Sequence, residues 1–187
     1  MHTVTVHYYD SPGPQNTEDV LACAAKRARE LGIRQVVVAS THGSTALKAR
    51  QAFPAEIRVI AVSISAAFDE EGWTMSASER EALQKAGIEV LTAMHSLGDD
   101  VSEAMAGEGW PPNRVVRETL YRFSQGMKVA VEVAIMAAEA GLLDMNADAI
   151  AIAGTDSGAD TAIVIKPAYA RHFRRLKIRE ILAMPRS

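Results

Sequence analysis

The chain has 187 residues, a formal net charge of −3, 48% apolar side chains and 23% charged ones. That is the balance of an ordinary soluble globular protein with room for a sizeable core, and it singles out no strongly charged partner. No run approaches the ~18 uncharged apolar residues that a membrane helix needs, so no membrane-spanning helix is expected.

No linker divides the sequence, and one domain over residues 1–187 is expected. The start, MHTVTVHYYD, lacks the basic-then-apolar layout of a signal peptide. The single cysteine, Cys23, rules out an internal disulfide and reads as a small buried hydrophobe. A reducing cytoplasmic location follows as the expectation. One basic cluster, Arg171, Arg174, Arg175, Lys177 and Arg179, stands apart from the net charge. Only Phe173 lies near it as a stacking ring, so a solvated surface is favoured over a nucleic-acid patch.

Taken in chain order, Thr3 to Tyr9 is β-branched and aromatic and predicts a strand. SPGPQN is a turn, and Asn16 or Thr17 caps a helix that runs to Leu31 and stops at Gly32. RQVVVAS is an apolar strand, TALKARQAF a helix and IRVIAVS another strand. An irregular connection follows. Ser78 and Glu81 then bracket a capping box for a helix over Glu79 to Ala86, and IEVLT is the next strand. DDVSEAMAG predicts a short helix with acids in its first turn. A longer helical region starts at Asn113, breaks at Ser124-Gln125-Gly126 and resumes as MKVAVEVAIMAAEAG. In that second piece Lys128, Glu132 and Glu139 fall within about 40° of one another, a stripe so narrow that the helix must be largely buried. DAIAIAG and TAIVIKPA are strands joined by the tight TDSGAD turn, and IREILAMP is the last strand.

Strand–helix alternation with strands apolar on both faces predicts a three-layer α/β/α sandwich around a mixed, mostly parallel sheet. The TDSGAD turn is too short for a parallel crossover, so its two strands should be antiparallel.

The chemistry should gather at the carboxyl ends of the strands, where ligands sit in open α/β sheets. The turn Ser40-Thr41-His42-Gly43-Ser44-Thr45 is rich in backbone and hydroxyl donors and leads into a helix N-terminus, a combination suited to phosphate. Plain N-capping explains the same residues equally well. Ser124-Gln125-Gly126 supplies a second helix start, and Lys128 offers a point charge, or else is a surface lysine in a weak pair with Glu132. His42 is a candidate ligand contact or proton carrier. The five histidines (His2, His7, His42, His95, His172) show no metal-binding spacing, and no metal site is expected. Neither GxGxxG nor GxxxxGK[ST] occurs, and Asp156-Ser157-Gly158 lacks the setting of a nucleophilic serine.

The segments PGPQNT, VVVASTHGSTALK, FSQGMKVAVEVAIMAAEAGL, IAIAGTDSGADTAIVIKPA and KIREILAMP resemble the stand-alone, pyruvate kinase C-terminal-like family nearly end to end. The resemblance implies that fold without pyruvate kinase activity, since the catalytic barrel is absent. It also implies flavin mononucleotide (FMN), or another phosphorylated small molecule, in the cleft. The phosphate would then sit on Ser40, Thr41, Gly43, Ser44 and Thr45, with Asn16, Ser63, Gln125, Gly126, Gly154, Thr155, Gly158, Asp160 and Thr161 lining the remainder. Two departures bear on the ligand. Ser157 stands where relatives often carry arginine, which removes a bidentate phosphate donor, and Ser65-Ala66-Ala67-Phe68 replaces a His-Thr-Gly-Phe-like run.

The expected function is a soluble phospholigand-binding protein. The alternatives are a flavin-dependent oxidoreductase using His42, Lys128 and Asp160, or a sugar-phosphate-sensing module. Apolar helices and sheet edges further suggest a homo-oligomer.

Overall fold

The structure is a computed structural model that describes residues 1 and 3–186, so His2 lies outside the described residues. Among them, seven strands form one sheet in the order β1-β7-β6-β5-β2-β3-β4. In sequence these are β1 (His7–Tyr9), β2 (Gln35–Ala39), β3 (Arg58–Ser63), β4 (Glu89–Thr92), β5 (Ala149–Ala153), β6 (Thr161–Lys166) and β7 (Lys177–Pro185). Strands β5, β2, β3 and β4 run parallel, as do β1 and β7, while β6 is antiparallel to both of its neighbours. The mixed sheet and the antiparallel pair across TDSGAD are as the sequence predicts.

The described residues form six α-helices, α1 (Thr17–Leu31), α2 (Ser44–Ala52), α3 (Ala77–Lys85), α4 (Val101–Ala106), α5 (Pro112–Tyr121) and α6 (Gln125–Glu139), of which α1, α2, α3 and α6 pack on the sheet and α5 packs on α6. Alternate strand residues divide between two cores, as the two-residue period of a strand requires. Val36, Val38, Val59, Ala61, Ile150 and Ile152 pack with α1, α2 and α3. Val37, Ile60, Ala149, Ala151, Ile163 and Ile165 turn the other way toward α6. Helix α6 is buried at every position from Gly126 to Ala138 except Val129. Its sequence is therefore apolar nearly all round because sheet, α5 and loops enclose it. No helix among the described residues is long and apolar enough to cross a membrane.

Three boundaries differ from the sequence reading. Strand β1 starts at His7 rather than Thr3, because β7 offers it pairing only from Ala183 to Pro185. The capping box is Ser76/Glu79, not Ser78/Glu81. Both pairs fit the same four-residue pattern, and only Ser76 has the extended backbone that lets its side chain accept from Glu79 N–H while Glu79 Oε2 accepts from Ser76 N–H at 2.8 Å. Asn16 precedes α1 but makes no side-chain cap, since its amide instead donates to Ser11 O at 2.9 Å.

Cys23 packs against the α1 core and donates to Val20 O at 3.2 Å. Burial pushes its thiol up to about 11. At pH 8 only about one thiol in a thousand is then ionised, and the thiolate is the nucleophile. Ellman's reagent is expected to modify the folded protein roughly a hundredfold more slowly than the urea-unfolded chain. Equal rates would show that Cys23 is not held as the structure has it.

Candidate functional site

Strand β2 lies between β3 and β5, and the chain winds outward from it on both sides. This is the topological switch point, where the crossovers leave in opposite directions and open a crevice at the strands' carboxyl ends. A cleft of about 350 Å³ occupies that place. One wall is the β2–α2 turn, another the β5–β6 turn, and the third is α6, through Gln125, Lys128, Val129, Glu132, Val133 and Met136.

The β2–α2 turn is built by Gly43, whose φ of 86° is a left-handed value that side chains resist, and an added Cβ would also sit 3.0 Å from Leu83. Gly43 is the N-cap of α2 and has no side chain to satisfy the helix's first amides. One of them, Ala46 N–H, is taken by Ser40 Oγ at 3.2 Å, and Ser40 N–H is bonded to Val62 O at 2.9 Å. Ser40 therefore shapes the turn and retains only its hydroxyl proton. Among the described residues, the amides of Thr41, His42, Gly43, Ser44 and Thr45 meet no protein acceptor. The side chain of His42 leans away toward α3, with Nδ1 3.3 Å from Glu79 Oε1. The Ser76 backbone N–H, then its hydroxyl, hold the Glu79 carboxyl below the usual carboxylate range.

The β5–β6 turn is anchored from below. Asp160 is fully buried, and its Oδ2 accepts from Gly13 N–H at 3.1 Å and Thr155 N–H at 2.9 Å. Its Oδ1 accepts from Thr161 Oγ1 at 2.8 Å, and that hydroxyl lies 3.2 Å from Ser124 Oγ, the cap of α6. Gly126 permits this approach, because a Cβ there would stand 2.3 Å from Thr161 Oγ1 and 2.6 Å from Asp160 Oδ1. Gly158, with φ of 69°, rests on Pro14 and Thr17.

Of the residues singled out by sequence, Ser40, Thr41, His42, Ser44, Thr45, Ser63, Gln125, Lys128, Gly154, Ser157 and Gly158 line the cleft together. Gly43, Gly126, Thr155, Asp160 and Thr161 stand behind that lining and support it, whereas Asn16 is not among the lining residues and its side chain bonds to Ser11 O instead. Two readings are corrected. Asp160 is no proton handler, as its carboxylate is spent on three internal donors and is closed to solvent. Lys128 is no surface lysine: its side chain is 10% exposed and pairs at 2.6 Å with Glu132, itself 3% exposed. The polar stripe on α6 thus faces the cleft rather than solvent, except for Glu139, which is exposed and accepts from Ala170 N–H.

The lining also includes Tyr121, His95, Glu132 and Asp156, which the sequence reading did not place in it. The Lys128 ammonium sits 5.9 Å from the Tyr121 ring centre, and Glu132 Oε1 accepts from Leu97 N–H at 3.0 Å. Glu132 and Asp156 had a local signal, the first one turn from Lys128 on an apolar helix and the second inside the TDSGAD turn. Tyr121 and His95 come from elements that only the folded chain brings near.

A family model described as pyruvate kinase, alpha/beta domain, matches residues 18–165. The chain belongs to that family. The matched span of this pyruvate kinase α/β domain runs from the start of α1 to the end of β6 and holds all the cleft-lining residues. Among solved structures, the chain is similar to a pyruvate kinase from Cryptosporidium parvum, with TM-score 0.42 and 14% identity over 79% of this chain and 22% of that one. It is also similar to the Cryptosporidium parvum pyruvate kinase in complex with ADP, with TM-score 0.41 and 16% identity over 89% of this chain and 23% of that one. The chain spans under a quarter of the length of either enzyme.

Proposed function

We propose that the protein binds a phosphorylated small molecule, with the phosphate seated on the β2–α2 turn. The observation that carries this reading is the run of amides from Thr41 to Thr45 without protein acceptors, at the positive end of a nine-residue helix and open to the cleft. The hydroxyls of Thr41, Ser44 and Thr45 add donors around the same point. Val129, Val133 and Met136 give the opposite wall an apolar surface suited to a flat ring, which favours FMN as the ligand. Binding is better supported than catalysis, because Asp160 is occupied, Lys128 is paired and His42 leans on Glu79.

Titrating the purified protein with FMN and following flavin fluorescence and unfolding tests the reading. FMN at ~100 times its dissociation constant should add about 2.7 kcal/mol of stability. The phosphate's position is tested by Ser44→Asp. Helix α2 has no acid in its first turn, so the new carboxylate suits the helix dipole and should leave stability equal or slightly higher. It would also occupy the amides and repel a phosphate, and affinity for FMN or inorganic phosphate should fall roughly a hundredfold. A stable Ser44→Asp protein with unchanged affinity would mean that the phosphate sits elsewhere.

A further inference from the structure

The cleft holds a charged pair that a phosphate cradle at α2 does not require. Lys128 and Glu132 face it from α6, both nine-tenths buried or more, with Nζ and Oε2 2.6 Å apart. Their charges cancel within the wall. The two histidines of the lining also have acidic neighbours, His42 at 3.3 Å from Glu79 and His95 at 2.6 Å from Asp99. Asp156 adds an exposed negative charge at the mouth. Among the described lining residues there is no arginine. The fixed side-chain charge around the cleft is therefore not positive, and the attraction for an anion comes from the backbone amides of the β2–α2 turn.

An ammonium has three N–H donors, and the structure spends one of those of Lys128, on Glu132. Among the described residues the remaining two meet no protein acceptor, and Lys128 lines the cleft, where a ligand atom can supply one. Because the positive charge is already balanced, a hydroxyl or carbonyl oxygen serves them well. A second phosphate would find no uncompensated positive charge there, because Glu132 already neutralises Lys128, and at the mouth it would meet the like charge of Asp156.

We propose that the cleft selects phosphomonoesters over bisphosphates, with Lys128, its charge cancelled by Glu132, donating to an uncharged oxygen of the ligand body and with Asp156 repelling a second phosphate. This rests on the phosphate-binding reading above.

The test is calorimetry on the full chain with inorganic phosphate, fructose 6-phosphate and fructose 1,6-bisphosphate. The monophosphate is expected to bind at least about tenfold more tightly than the bisphosphate of the same sugar. Glu132→Gln, which keeps an acceptor for Leu97 N–H, and Asp156→Asn, on an exposed turn with φ of 59° that asparagine accepts, should each narrow that gap. The exposed Asp156 position gives a usable result even if the buried substitution fails to fold. Equal or tighter bisphosphate binding by the unaltered protein overturns the selectivity, as does a gap unmoved in every variant that folds. Binding of inorganic phosphate with neither sugar ester overturns the Lys128 contact and leaves the phosphate cradle standing. Failure of inorganic phosphate and both esters alike brings down the phosphate-binding reading, and the selectivity with it.

Discussion

Asp160→Ala is expected to cost about 4 kcal/mol, a large part of a typical domain's stability. The side chain is completely buried, and it accepts from Gly13 N–H, Thr155 N–H and Thr161 Oγ1. Alanine leaves both amides without an acceptor, at about 1–3 kcal/mol each, and opens a small polar void. Urea unfolding should show the midpoint falling by roughly 2 M. Asp160→Asn discriminates between roles. With its amide oxygen in the place of Oδ2 it still accepts from Gly13 and Thr155, and its NH2 can donate to Thr161 Oγ1, whose proton then turns to Ser124. The expected cost is about 1 kcal/mol, with ligand affinity nearly kept. If Asp160 moved protons, asparagine would instead remove function while sparing stability.

The same residue shows where sequence reading stops. The TDSGAD turn marks Asp160 as near the cleft, but whether its carboxylate faces ligand or protein depends on Gly13, 147 residues away. The fold itself was legible, because alternating periodicity, strands apolar on both faces and a turn too short for a crossover are local properties. So was the β2–α2 turn, whose free amides follow from a glycine at the N-cap. Strand order was not legible, since nothing local says that β7 inserts between β1 and β6. The length of β1 failed for the same reason: Thr3 to Val6 has strand composition and no partner in β7. His42 lines the cleft as its place in the turn suggests, but nothing local says that its ring leans on Glu79, 37 residues on.

Lys128→Met is expected to cost about 3–5 kcal/mol, because it strands the Glu132 carboxylate at 2% exposure with Leu97 N–H as its remaining donor. A surface pair would cost under about 1 kcal/mol, so the size of the loss itself tests the burial. Local helix energetics cannot supply it. A lysine four residues before its glutamate is the weaker order for a pair on a helix, worth a few tenths of a kcal/mol. The double replacement Lys128→Met with Glu132→Gln removes the stranded charge and keeps an acceptor for Leu97, and most of the lost stability should return. Such recovery would show that the pair contributes little net stability, which leaves the needs of the cleft as the reason for burying it. A double variant as unstable as Lys128→Met alone would instead place the cost in lost lysine packing against Tyr121.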